Sequence, residues 1–450
     1  MEKNELFRKN ISKIALPITL QSLLQSSFSV IDQVMIGRLG KCSIAGIGLG
    51  GKFLSLYSVV LSAIATAAGI MISQYMGKKD EKSVSWSFST NMILSIGLAM
   101  VFGFICIAFP EIIMGVYTKD EATKQLGVSY IRILAISFLP MAISIIVTTL
   151  LRCMELASFP LYASVFALLL NTGLNYLLIF GKGIFPTMGV EGAAWASVIA
   201  QVVSCGIVLI LFKKYIQKQG TKLTINWKQK GTSFKGNWRK YIKILYPILI
   251  CEFLWSLGEN VYSVIYGNMG TDACAAITMT VPIQTLMIGA LSGLSQAAGI
   301  LIGKSLGGKK YEKAYVEAKK MMKYGVIGSV FLSLLLVLFA SFYVKIYAVE
   351  VALQKMTWSV LISFALVSPV KVQNMILGGG IIRSGGKTEY IMWVDIIGTW
   401  LFGVPLGFLA AFIWKMPIAY VYFILSLEEC IRLGISLIIF KKKIWIESLQ

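Results

Sequence analysis

The sequence has no histidine. That excludes imidazole metal ligands, Ser–His or Cys–His nucleophile pairs and histidine proton relays. Charge is also scarce: 14% of the 450 residues are charged and 57% are apolar, with a mean hydropathy of +0.76. Soluble domains carry about 25% charged residues, so composition speaks against a soluble enzyme, a disordered chain and a disulfide scaffold. The seven cysteines are scattered with no C-x-x-C and read as reduced, small apolar residues. No G-x-x-x-x-G-K-[ST] occurs, so the chain has no P-loop with which to hydrolyse ATP. Neither an enzymatic centre nor a cofactor is expected.

What remains is length and hydrophobicity. A helix crossing a bilayer needs roughly 20 apolar residues. Twelve such stretches are read near 14–36, 53–76, 86–109, 128–150, 158–181, 192–212, 244–267, 277–301, 324–346, 357–380, 390–413 and 417–440. The second and eighth contain glycines at which a helix can break. The runs are continuous and do not alternate with period two, which favours helices over a barrel. No small-residue cleavage site follows a short apolar region, so the first span is expected to be retained.

Net charge is +21, but the basic residues sit in short loops, which reads as membrane orientation and not as nucleic-acid binding. The N-terminal tail, the even-numbered connections and the C-terminal tail hold 30 of the 42 Lys and Arg. This bias places both termini in the cytoplasm of a multi-pass cell-membrane protein, with the basic loops against anionic lipid. The connection 213–243 has ten basic residues and no acid.

The chain also repeats itself. Shifted by 230 residues, Pro17 meets Pro247, Gly37 meets Gly267, and Ala67-Ala68-Gly69-Ile70 meets Ala297-Ala298-Gly299-Ile300. With a drift of one residue Pro140 pairs with Pro369 and Arg152 with Arg383. The expected architecture is an all-α polytopic protein of twelve transmembrane helices in two six-helix repeats around a central cleft. It divides into an N-lobe (1–212), a basic cytoplasmic linker (213–243) and a C-lobe (244–450). Parallel repeats of this kind are a transporter architecture, and two lobes in one chain make a monomer sufficient.

Charges within spans are costly and mark functional sites. Gln21, Gln25, Ser29 and Asp32 share one face of the first span. Two readings of Asp32 stay open, an ion or proton site and a carboxylate at a helix end. In the seventh span Glu252, Trp255, Ser256, Glu259, Tyr262 and Tyr266 share a face, where carboxylates and aromatic rings can hold an organic cation. The rings also suit a core or an interface belt. Lys371, Gln373 and Asn374 are candidates for a cavity. Glu428 and Arg432 are spaced to pair. Gly378-Gly379-Gly380 reads as packing or flexing.

The stretches "ALPITLQSLLQSSFSVIDQVMIGRLG", "NTGLNYLLIFGKGIFPTMGVEGAAWASVIAQ" and "AAGILIGKSLGGKK" resemble spans one, five to six and eight of the multidrug and toxic compound extrusion (MATE) transporters. The resemblance implies an antiporter that exports lipophilic, usually cationic compounds in exchange for H⁺ or Na⁺. It implies a coupling site at Asp32, Asn171, Asn175 and Ser197, with Na⁺ a candidate at the first three, and helix bending at Pro17. Substrate contacts are expected from Gln21, Gln25, Glu252, Trp255, Glu259 and Tyr262. Asn175 stands where many members carry a carboxylate, and Val372 where the NorM-type branch carries an Asp, departures that point to the DinF-like branch. Glu155 stands where a glycine is usual. The alternative is a flippase for a lipid-linked precursor, which would want a strongly cationic cavity.

Overall fold

The computed structural model describes residues 2–183, 185–219, 234–346 and 349–449. The middle of the expected linker, 220–233, lies outside the described residues. Sixteen α-helices follow in order: α1 (Glu2–Ile36), α2 (Lys41–Lys78), α3 (Glu81–Ala108), α4 (Pro110–Tyr117), α5 (Glu121–Leu134), α6 (Phe138–Cys153), α7 (Ser158–Phe180), α8 (Gly189–Gln219), α9 (Phe234–Asn268), α10 (Thr271–Gly307), α11 (Tyr311–Lys345), α12 (Val351–Asn374), α13 (Thr388–Asp395), α14 (Val404–Phe408), α15 (Ile418–Ser426) and α16 (Glu428–Lys441). Among the described residues there is no strand. In lipid only helices and closed barrels satisfy every backbone group internally.

Ten helical segments among the described residues are long and apolar enough to cross a membrane. Neither α1 nor the 418–441 segment is one of them. The latter is split at Leu427 into helices of 9 and 14 residues. Two expectations are corrected. The second and eighth spans do not break at their glycines, since α2 and α10 run unbroken for 38 and 37 residues. Irregularity falls later, in π-helical turns at Met375–Ile382, Ile396–Gly403 and Leu409–Ile413. The triple glycine packs: a Cβ on Gly380 would collide with the backbone of Ser295 in α10. Glu155 lies at φ 64°, the left-handed region where glycine is least strained, which gives the usual glycine its reason.

The chain groups into two compact units. The N-terminal unit comprises Leu23–Ile72 and Asp80–Gly231, and the C-terminal unit comprises Thr232–Gln450 together with Met1–Ser22 and Ser73–Lys79. In the N-terminal unit Tyr57, Leu61, Ala99, Cys106, Met114 and Phe138 form a buried core. The Tyr57 hydroxyl donates to the Phe138 carbonyl at 2.7 Å and the two rings stack with centroids 4.5 Å apart. Asp80 and Asp120 cap α3 and α5 by accepting from the backbone N–H of Ser83 (3.1 Å) and Thr123 (3.0 Å).

In the C-terminal unit a second core gathers Tyr266, Leu336, Val360, Phe364, Val421 and Leu425. The last turn of α2 crosses α10 so closely that a Cβ on Gly77 or Gly307 would strike the backbone of Lys304 or Gln74. Small residues allow this approach. Gln74 then donates to the Ser384 carbonyl (2.6 Å) and accepts from the Leu449 N–H (2.8 Å).

Candidate functional site

Polar side chains gather at two places, one in each unit. In the N-terminal unit, α1 supplies Asp32, α7 supplies Asn171 and Asn175, and α8 supplies Ser197. Helices α7 and α8 are brought together at Gly192, where a Cβ would lie 2.8 Å from the Leu178 carbonyl group. Ile47, Ile179, Val190 and Ala193 form a small buried core, with Met35, Ile36 and Tyr130 packed on it, which fixes the end of α1 against α7.

Asp32 is half-buried and Asn175 is 2% exposed. Asn175 Nδ2 donates to Asp32 Oδ1 at 3.0 Å. One end of the Asn171 amide lies 3.1 Å from Asp32 Oδ2, and the other lies 3.3 Å from the Ser197 backbone nitrogen. With its nitrogen toward Asp32, Asn171 donates to the carboxylate and accepts from Ser197 N–H. Asn175 Oδ1 and Thr172 Oγ1 are buried without a hydrogen-bond partner among the described residues. Among the described residues no lysine or arginine pairs with Asp32, and its hydrogen bonds come from amides.

The structure thus brings Asp32, Asn171, Asn175 and Ser197 together. The rest of the α1 stripe is divided. Gln25 is exposed in the N-terminal unit, whereas Gln21 is buried in the C-terminal unit with Pro17. The Ser29 side chain lies outside the described residues.

In the C-terminal unit a cavity of about 150 Å³ is lined by Glu259, Tyr262, Gln284, Lys371, Tyr422 and Glu428, among others. The Tyr262 hydroxyl donates to Glu428 Oε2 at 2.5 Å, and the Tyr422 hydroxyl donates to Gln284 Oε1 at 3.1 Å. Around the cavity two arginines hold three carboxylates. Arg432 pairs with Asp395 and lies 3.4 Å from Glu429, whose Oε2 also accepts from Asn374 at 2.7 Å. Arg383 pairs with Glu252 at 3.2 Å and donates to Cys251 Sγ at 2.9 Å. The Cys251 thiol in turn donates to Asp395.

Several expectations change here. Glu252 does not face the cavity as a free anion, because Arg383 neutralises it. Sequence reading placed Arg383 in a loop, but the π-helical turn at Met375–Ile382 extends the segment and carries Arg383 inward. Trp255 is 49% exposed and is not part of the cavity wall. Arg432 bonds Asp395 and Glu429, while Glu428 accepts from the Tyr262 hydroxyl. Arg132, read as lying inside a span, is exposed. Of Lys371, Gln373 and Asn374, only Lys371 lines the cavity. The expected pair Glu259 and Tyr262 do line it, and Glu428 joins them. Gln284 was missed because one amide in an apolar helix has no periodic signal.

Five carboxylates (Glu252, Glu259, Asp395, Glu428 and Glu429) meet three bases (Lys371, Arg383 and Arg432) in this region. Glu259 is exposed and Glu252 half-buried, whereas Asp395, Glu428 and Glu429 are buried and are held by Arg432, Tyr262 and Asn374.

The model of the MatE family matches residues 17–177 and again 247–409. The uncharacterized transporter YisQ of Bacillus subtilis (strain 168) is 23% identical over 443 residues, covering 96% of this chain and 94% of that protein. A probable multidrug resistance protein NorM of Bacillus thuringiensis subsp. konkukian (strain 97-27) is 22% identical over 431 residues, covering 91% and 90%. A crystal structure described as MATE in complex with MaL6 superposes with a TM-score of 0.87 at 17% identity, covering 97% of this chain and 96% of that one. That likeness shows the fold. Matched by the family model over most of its length, the chain belongs to the MATE family of multidrug efflux transporters.

Proposed function

We propose that this multi-pass membrane protein is a secondary antiporter that exports lipophilic organic cations in exchange for H⁺ or Na⁺, by alternating access of its two halves. The observation that carries the reading is Asp32 held between two amides with no basic partner among the described residues. Such a carboxylate must bind something positive when it is desolvated. Asn171 and Asn175 both donate to the ionised carboxylate. The orphan Asn175 Oδ1 supplies a further oxygen for an entering cation. Pro17 lies inside the continuous α1 and lacks a backbone N–H, which weakens the helix one turn back and makes this the point at which α1 would bend during transport.

At the substrate end, the cavity at Glu259, Tyr262 and Glu428 receives the positive group of the substrate. At about 150 Å³ it is smaller than the roughly 300–1,000 Å³ of whole-ligand pockets, so the lipophilic body of the substrate lies beyond it. Cation and drug need only oppose each other's binding, by about 1–3 kcal/mol in coupled systems. Gln21, Gln25 and Trp255 do not line that cavity. An excess of acid over base here supports a cation exporter over a flippase for an anionic lipid precursor. Asn175 in place of a carboxylate and Val372, buried without an acid, support a DinF-like member; two repeats in one chain suit a monomer, and the placement of lysine and arginine suits cytoplasmic termini.

Ethidium efflux from a pump-deficient bacterial strain tests the reading. Wild-type protein should confer gradient-driven efflux, and Asp32→Asn at equal expression should abolish it. Sodium addition and a protonophore identify the coupling ion. Full efflux by Asp32→Asn contradicts the coupling role of Asp32.

A further inference from the structure

A second, larger hollow lies in the C-terminal unit, apart from the polar cavity and from Asp32. It is an open groove of about 1050 Å³, walled by α12, by the start of α15 with the segment before it, and by the α9–α10 connection. Its polarity is graded along one helix face. Lys355, Ser359, Ile362 and Leu366 of α12 all line it, and their spacing of four, three and four puts them in one stripe. Eleven residues of helix rise about 16 Å, so the groove passes from charge to hydrocarbon over a length that matches a lipid acyl chain.

The second wall repeats the order. Lys415 precedes Tyr420 and Phe423, and all three line the groove. At the level between charge and hydrocarbon stand Trp358 and Tyr420, 41% and 62% exposed, the residue types that sit at the lipid headgroup boundary. The floor is closed where the Ser363 hydroxyl donates to the Ala419 carbonyl at 3.1 Å, tying α12 to α15. At the apolar end of the groove Leu366 is 65% exposed, an apolar surface that water solvates poorly.

At the charged end, Lys355 and Lys415 outnumber the one acid, Asp272. The net positive charge selects a negative headgroup. Thr271, Ser359 and Asp272 add hydroxyl and carboxylate partners for hydroxyls on that headgroup. The geometry points to a binding site for an anionic glycerophospholipid, its phosphate at Lys355 and Lys415 and one acyl chain along Ile362, Leu366 and Phe423.

Native mass spectrometry of the detergent-solubilised full chain tests this, with phosphatidylglycerol, phosphatidylethanolamine and phosphatidylcholine titrated separately. The wild type should retain one phosphatidylglycerol at least about tenfold more tightly than either zwitterionic lipid. The double variant Lys355→Gln, Lys415→Gln should lose that preference. A control, Lys119→Gln with Lys345→Gln, removes two other exposed lysines and should keep it. Both are surface changes, and a single monodisperse species in each spectrum shows that the protein is folded. Equal retention of all three lipids, preference for phosphatidylethanolamine, or loss of preference in the control to the same degree overturns the site. So does displacement of the lipid by soluble glycerol phosphate, which would show that the hydrocarbon contacts contribute nothing.

Discussion

At the scale of single residues, Glu252, Asp395 and Glu429 are each paired with an arginine, and Asp32 stands apart because its hydrogen-bond partners are amides. Asn175→Ala removes one donor to the carboxylate, an interaction of about 1.5–3 kcal/mol for a charged acceptor. Efflux driven by the ion gradient should fall in that variant without vanishing, whereas Asp32→Asn should lose it. In the C-terminal unit Asp395→Ala leaves the Arg432 guanidinium with Glu429 alone. Breaking a buried pair costs about 3–5 kcal/mol, so thermal unfolding in detergent should shift down by several degrees, and Arg432→Met in the same background should recover part of it. No recovery would mean that the pair does not carry the loss.

Much of this was legible in the residues. Asp32, Asn171, Asn175 and Ser197 come together as the family resemblance implied, and Glu259 and Tyr262 line one cavity as their helical spacing predicts. The pairings were not legible. Spacing says which residues share a face, but not what faces them, so Glu252 read as a cation ligand until Arg383 was found 3.2 Å away.

At the scale of elements, helices were read well wherever apolar runs were long, and poorly wherever the helix geometry changed. Nothing in Met375–Ile382 or Ile396–Gly403 marks a π-helical turn in advance, because such a turn shifts hydrogen bonds and leaves composition unaltered. The split at Leu427 was hidden in the same way.

The C-terminal tail is a second element that hydropathy overlooks. Trp445 is fully buried and stacks on Phe440 with centroids 5.6 Å apart. Lys387 pairs with Glu447, and Leu449 N–H reaches Gln74. The tail is therefore part of the folded unit. Replacing Trp445 by alanine should cost about 3–5 kcal/mol, as for other buried large aromatics, and should appear as a lower unfolding temperature and reduced yield from membranes. An unchanged unfolding temperature would show that the tail only rests on the surface.

At the scale of the whole molecule, hydropathy, lysine placement and the 230-residue self-match lead to the transporter class without any motif of catalysis. The two stretches matched by the family model also begin 230 residues apart, at 17 and 247. The compact units do not follow the repeat boundary, since the first 22 residues and the end of α2 group with the C-terminal half. Sequence self-similarity reports ancestry and not packing, and so could not show this. Orientation is open to direct test. A green fluorescent protein fused at either terminus should fluoresce, and alkaline phosphatase fused there should be inactive, because thirty of the 42 basic residues lie in the tails and even-numbered connections. Active phosphatase at either end would invert the topology.

The central claim is that Asp32 exchanges its cation for the substrate. It is tested most directly by adding a lipophilic cation, such as ethidium or tetraphenylphosphonium, to the purified protein in weakly buffered detergent while following pH and free sodium together. The account predicts release of a cation on drug addition by the wild type, as H⁺ or Na⁺, and none by Asp32→Asn that still binds the drug. Equal release from both proteins would contradict it.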